Sequence, residues 1–160
     1  MRLDTVKLEL GKDWEGYGAA LKEALHHNNK FLTKLNDYII DTAGKQLRPV
    51  LCLLSAQACG KVSQMTYECA AVCEIIHTAT LLHDDVADNG DIRRGVPTVK
   101  ATFGQAASVL TGDYWLAKGM EVLINKCNTR ILGYFTQALK DLSVGEIIQM
   151  EKADELDTTI

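Results

Sequence analysis

The stretch Glu74-Ile75-Ile76-His77-Thr78-Ala79-Thr80-Leu81-Leu82-His83-Asp84-Asp85-Val86-Ala87-Asp88 decides the fold class. It closes a run from Gln64 that contains neither proline nor glycine, so a single long helix is expected over 64–88. Asn89-Gly90 supplies the stop, because both residue types tolerate the left-handed backbone that ends helices. On that helix Asp84 and Asp88, four residues apart, share a face, and Asp85 lies one position round.

Working outward, the flanks repeat the helical pattern. Up to about Thr42 the chain reads as two or three amphipathic helices, with Leu21, Leu25, Leu32, Leu35 and Ile39 at three-, four- and seven-residue intervals. A break follows at Ala43-Gly44-Lys45-Gln46-Leu47-Arg48-Pro49, where proline suits the first turn of a helix. Residues 50–58 are expected as a nearly all-apolar, buried helix stopped by Gly60. Beyond a polar loop carrying Arg93-Arg94-Gly95 and Pro97, one helix is expected from Thr98 to about Asn125, and a last one over 128–153. No strand-type alternation stands out. The class is all-α, in one domain spanning 1–160.

Composition narrows the function. A formal charge of −4, with no basic stretch longer than Arg93-Arg94, argues against nucleic acid. No apolar run approaches the roughly 18–20 residues of a membrane span, and the start lacks a signal-peptide core, so a cytoplasmic protein is expected. The five cysteines are odd in number and form no Cys-x-x-Cys pair. Cys69, Cys73 and His77 recur every four residues, but a fourth zinc ligand is missing, and reduced thiols are the simplest account.

The carboxylates carry the chemistry. Asp84, Asp85 and Asp88 would repel one another unless neutralised, and Mg²⁺ typically recruits one or two carboxylates plus substrate phosphates. His77 lies two turns before Asp84 on nearly the same face. Arg93 and Arg94 follow across the Asn-Gly break, where guanidinium forks hold diphosphate oxygens. Lys45 and Arg48 form a second cationic pair at a helix start, itself favourable for phosphate. A solvated, salt-bridged turn is the plainer reading of two spaced aspartates alone. An EF-hand fails, because Ala87 and Val96 fall where ligands are required. A helical phosphohydrolase using His83-Asp84 with His26, His27 or His77 remains an alternative on a short motif.

Gly44-Lys45-Gln46-Leu47-Arg48-Pro49, the stretch 74–88 and Arg93-Arg94-Gly95 together resemble the trans-prenyl diphosphate synthase family. Phe103-Gly104, Leu110-Thr111-Gly112-Asp113-Tyr114 and Gly145-Glu146-Ile147-Ile148-Gln149 extend the resemblance, which runs from about residue 40 to the end and points to medium- or long-chain members. It implies the N-terminal half of an all-α isoprenoid-synthase bundle with a central prenyl-chain cavity. It implies that Asp84, Asp85 and Asp88 hold Mg²⁺ against an allylic prenyl diphosphate that Arg93 also contacts. Lys45, Arg48, His77 and Arg94 would hold isopentenyl diphosphate, and Gln149 a cavity-facing position. The implied reaction is ionisation of the allylic diphosphate, attack by the isopentenyl double bond and loss of a proton, in a homodimer. Ala43 and Gln46 stand where the family often has glycine and arginine, which puts loop flexibility beside the second diphosphate in question.

Product length follows from the same helix. Thr80, Ala79, Ile76, Cys73 and Val72 lie four, five, eight, eleven and twelve residues before Asp84, and each turn back is about 5.4 Å. Short-chain relatives block the first two of these positions with aromatic residues. Thr80 and Ala79 leave them open, so a product longer than fifteen carbons, of about thirty to forty or more, is expected. The second aspartate-rich motif and a lysine-threonine element of the family have no counterpart after Gln149, so the chain is expected to be truncated and inactive alone. A non-catalytic prenyl-diphosphate-binding subunit is the other reading. Such relatives usually lose aspartates from this motif, and all three stand here.

Overall fold

Helix-forming sequence becomes helix along nearly the whole chain in the computed structural model, which describes residues 3–152. The elements are α1 (Leu3–Leu10), α2 (Lys12–Leu25), α3 (Lys30–Asp41), α4 (Leu47–Cys59), α5 (Gln64–Ala87), β1 (Ile92–Arg93), β2 (Val96–Pro97), α6 (Val99–Phe103), α7 (Gln105–Lys126) and α8 (Thr129–Lys152). The chain divides into two compact units, Met1–Cys127 and Asn128–Ile160. None of the helices among the described residues is long and apolar enough to cross a membrane. The all-α expectation holds, with a two-stranded antiparallel ladder added to it.

In the first unit α5 is the central helix, with α2, α4, α6 and α7 packed on it. Its sequence allows this: Ala70, Ala71, Val72 and Ile75 are fully buried and small or aliphatic, so neighbouring helices approach from several sides. Its start is fixed by a capping box in which Ser63 and Thr66 exchange hydrogen bonds. Gly119 of α7 rides close to it, since a Cβ there would sit 3.2 Å from Ile76 Cγ1. One buried polar relay ties three helices. Asn36 Nδ2 donates to the Leu25 carbonyl at 3.0 Å, and Trp115 Nε1 donates to Asn36 Oδ1 at 2.8 Å.

Three local expectations need correction. Residues 50–58 do not form a wholly buried helix: in α4 only Pro49, Val50 and Leu53 are buried, while Leu47, Leu51 and Leu54 are exposed. The expected single helix over 98–125 is two, because Gly104 adopts φ 95° and breaks it into α6 and α7. The loop after α5 contains the short ladder β1–β2, with Arg93 opposite Val96. In the second unit α8 has no buried residue among those described. Ala153, expected to end that helix, and the polar stretch 154–160, with its expected cap at Asp157-Thr158-Thr159, lie outside the described residues.

Asn36→Ala orphans two buried partners, an indole N–H and a carbonyl. Unpaired buried groups cost about 1–3 kcal/mol each, so a loss of about 2–6 kcal/mol of stability is expected. Denaturant unfolding of the variant against the parent protein measures it.

Candidate functional site

The site begins where α5 ends. Asp88 is the C-cap, Asn89 has φ 54°, and Gly90 N–H donates to the Asp85 carbonyl at 2.9 Å while Asn89 N–H donates to that of Val86 at 3.3 Å. This is the two-bond Schellman closure, with asparagine supplying the left-handed residue. Ser108 of α7 donates its hydroxyl to the Leu82 carbonyl at 2.8 Å and so fixes the helix end laterally. The three aspartates therefore occupy the last turn of a long helix, where the backbone carbonyls already concentrate negative charge.

The loop answers that charge. Arg94-Gly95 forms a two-residue connection between β1 and β2, with φ 56° and 82°, the mirror-image turn that suits a twisted ladder. Arginine in that conformation is unusual for a residue with a Cβ. The turn returns Arg93 to the helix, where its Nε donates to Asp85 Oδ1 at 2.8 Å. The Asp85 side chain is only 7% exposed, so this is a half-dry ion pair. Asp84 is half-buried and Asp88 exposed. The Asp88 N–H donates to the Asp84 carbonyl at 2.8 Å, so the two carboxylates are separated by one intact helical turn. The three aspartates, expected to act together, thus divide. Asp85 is engaged by arginine, Asp84 is half-buried and Asp88 is exposed.

The basic residues gather at two adjoining cavities. Glu74, His77, Asp85, Arg93 and Arg94 line one, with the loop residues Thr42 and Ala43. Lys7, Lys45, Gly44 and Arg94 line the other, and Arg94 belongs to both. Its guanidinium lies directly over Gly44, where any Cβ would collide with it. Gln46, one of the two departures from the family pattern, has φ 51° and donates from Nε2 to the Tyr17 hydroxyl at 3.2 Å, which pins the loop from the other side. Lys45 and Arg48 are exposed at the start of α4. His77 is pushed down to about 4 by burial and then by the charges of Arg48, Arg94 and Arg93, the last two of which line the same cavity.

Several participants were not foreseen from sequence. Glu74 is buried in the first cavity, and its carboxyl is raised by desolvation against the opposing pull of Arg48, Arg94 and Lys7. His83 Nε2 sits 3.2 Å from Asp113 Oδ1 and 3.3 Å from the Val109 carbonyl. Gly112 leaves room for that ring, since a Cβ there would meet it at 2.5 Å. The signal for Gly44 and Gly112 was present, as single glycines inside otherwise strong motifs, but only tertiary neighbours explain them. Of the chain-length positions, Ala79 and Ile76 are buried, Ile76 against Gly119, and Thr80 and Cys73 are half-buried. Thr80 donates its hydroxyl to the His77 carbonyl at 2.8 Å.

Comparison with known proteins fits this geometry. A family model described as polyprenyl synthetase matches residues 29–160. An octaprenyl diphosphate synthase from Escherichia coli is 35% identical over 99% of this chain and 49% of its own length. An all-trans-nonaprenyl-diphosphate synthase from Rhodobacter capsulatus is 32% identical over 94% of this chain and 46% of its own. The solved decaprenyl diphosphate synthase from Rhodobacter capsulatus superposes with a TM-score of 0.92 at 33% identity, covering 99% of this chain and 49% of that one. A polyprenyl synthase from Caulobacter crescentus, solved with calcium and isoprenyl diphosphate, gives 0.90 at 28% identity over 99% of this chain and 48% of that one. The chain spans about half the length of the curated relatives it matches.

The electrostatics of His77 give a direct test. Its folded value lies below the ordinary 6.5, so the unfolded chain binds the proton first as pH falls. The contribution to stability is complete above about 6.5 and declines as pH drops towards 4. NMR titration should find the His77 midpoint near 4, and inorganic pyrophosphate, by screening the arginines, should raise it.

Proposed function

The chain belongs to the polyprenyl synthetase family, and from that premise we propose that it carries the diphosphate-binding part of a trans-prenyltransferase. The reaction joins isopentenyl diphosphate to an allylic prenyl diphosphate and leaves an allylic diphosphate one unit longer. The observation that carries the reading is the pairing of an acidic helix end with two cavities that bring Arg93, Arg94, Lys7 and Lys45 together and share Arg94. One anionic substrate and a metal suit the first feature, and a second anionic substrate suits the cavities.

The donor set fits a hard divalent cation. Among the described residues no three His, Cys, Asp or Glu side chains converge on one point. Asp84 and Asp88, one turn apart, instead offer two carboxylates, and Mg²⁺ is commonly held by one or two carboxylates with phosphate oxygens and water. Asp85, already given to Arg93, is proposed to position that arginine rather than to ligate. When bound, Mg²⁺ would supply charge neutralisation for the departing diphosphate.

The chain's own residues do the rest. Arg93, held by Asp85, is aimed at the allylic diphosphate and stabilises the negative charge that grows on it as the carbon–oxygen bond breaks. Lys45, Arg48 and Arg94 hold the second diphosphate, with His77 neutral beside them as a hydrogen-bonding group. Fixing both diphosphates brings the isopentenyl double bond to the allylic carbon, so positioning and electrostatics replace a protein nucleophile. A second copy of the chain as partner rests on the family membership alone.

Product length is proposed to exceed fifteen carbons and to reach about thirty to forty or more, because Thr80 and Ala79 leave the wall before Asp84 open. The named activities of the octaprenyl and nonaprenyl synthases above support that range.

In the full-length protein, Asp88→Asn should lower condensation of radiolabelled isopentenyl diphosphate by about a hundredfold or more, on the scale of losing one preorganised electrostatic group. Thr80→Phe should retain turnover and shorten the product. Undiminished turnover by the first variant would remove Asp88 from the metal site. Unchanged products from the second would remove Thr80 from the wall.

A further inference from the structure

Four of the five cysteines meet where α4, α5 and the end of α7 converge. Cys69 Sγ of α5 and Cys127 Sγ at the C-cap of α7 are 3.8 Å apart across a separation of 58 residues. Cys52 of α4 lies near Cys73 of α5, and its Sγ is 3.9 Å from the Thr66 carbonyl. All four are free and half-buried, whereas Cys59 is exposed. Among the described residues no group of three potential ligands converges to hold a metal, so the chemistry on offer is that of thiols.

The two pairs are not equivalent. Cys52 and Cys73 both sit inside helices, whereas of Cys69 and Cys127 only Cys69 does. Cys127 lies just past the last turn of α7 with extended backbone, φ −116° and ψ 177°. Its Sγ stands 3.8 Å from that of Cys69, against the roughly 2.05 Å of a disulfide, so closure needs the two sulfurs to approach by under 2 Å. Its neighbours Lys126 and Asn128 are exposed, which leaves an approach for a small reagent.

We propose that Cys69 and Cys127 form a thiol–disulfide exchange site that closes to an intrachain disulfide when it meets an oxidised low-molecular-weight disulfide. The Cys127 thiolate attacks one sulfur of the reagent, forming a mixed disulfide and releasing the first reagent thiol. Cys69 then attacks the Cys127 sulfur, releasing the second reagent thiol and leaving the Cys69–Cys127 bond. Two protein protons end on the two released thiols, and the reagent takes up both electrons.

Both thiols rest protonated near neutrality. Burial pushes Cys69 up to about 12 and raises Cys127 against the lowering hydrogen bond from Cys69, and the charge of the buried Glu68 adds to both. Exchange is therefore slow near neutrality and quickens as pH rises. Glu68 is 2% exposed, and one of its oxygens, Oε2, has no hydrogen-bond partner. The other accepts from Gln64 at 2.8 Å and from Lys126, the residue beside Cys127, at 3.4 Å. Cys69 precedes Asp84 by fifteen residues, about 22 Å along the helix at 1.5 Å per residue. The crosslink is thus remote from the aspartates and independent of the reaction assigned to them.

The experiment incubates the full-length protein with excess oxidised glutathione, digests it without reduction and maps the linked peptides by mass spectrometry. The expected result is one Cys69–Cys127 peptide pair lighter by two hydrogens, abolished by dithiothreitol and by Cys127→Ala and retained in Cys59→Ser. Because the bond closes a long loop, the oxidised protein should also melt several degrees higher than the reduced one. If Cys127→Ala fails to fold, Cys69→Ser provides the same control. A Cys52–Cys73 link in place of the expected one, a lasting glutathione adduct on Cys127 with Cys69 free, or no modification would each overturn the proposal.

Discussion

Three carboxylates in the last turn of α5 set the terms for everything around them. The C-terminus of a helix carries partial negative charge from its unpaired carbonyls, and α5 has no basic residue in its last turn to offset it. Acids there are stable only if cations are delivered from elsewhere. Arg93 is delivered by the loop, to Asp85, at 2.8 Å. The Schellman closure at Asn89-Gly90, the left-handed Arg94 and the short ladder all serve to turn the chain back soon enough for that pair to form.

The same constraint distributes work among the aspartates. Asp85 points inward, nearly dry, and anchors an arginine. Asp84 and Asp88 lie one turn apart, where on the proposed reading a divalent cation and a diphosphate would bind. On the proposed reading, a motif of three like residues carries two tasks, one of positioning and one of ligation. The central placement of α5 makes this rigid, because Ser108 holds the Leu82 carbonyl beneath the aspartates and α7 packs along the helix through Gly119. Arg94, seated on the bare backbone of Gly44, carries the order of this helix end into the loop before α4.

Much of this was legible in sequence because it is local. The span of α5, its stop at Asn89-Gly90 and the sharing of a face by Asp84 and Asp88 follow from period and turn chemistry within a few residues. What was misread depended on the strength of weak signals. Gly104 inside a helical pattern costs only about 1 kcal/mol against alanine, so its break between α6 and α7 was invisible until its φ of 95° was known. The apolar run in α4 hid that Leu51 and Leu54 face outward, since the polar residues marking that side, Arg48 and Ser55, stand only at the ends of the run. The β1–β2 ladder is two residues a strand, too short for alternation to register. Non-local pairs were beyond sequence altogether: Gly44 under Arg94, Gly112 under His83, and Glu74 among three cations.

The division of the aspartates is the central claim, and a crystal structure of the full-length protein with Mg²⁺ and an unreactive thio-analogue of an allylic prenyl diphosphate tests it most directly. The account predicts metal on the carboxylates of Asp84 and Asp88, diphosphate oxygens completing the shell, and Asp85 still bonded to Arg93. A metal ligated by Asp85 with Arg93 released, or metal and diphosphate bound away from this helix end, would contradict it.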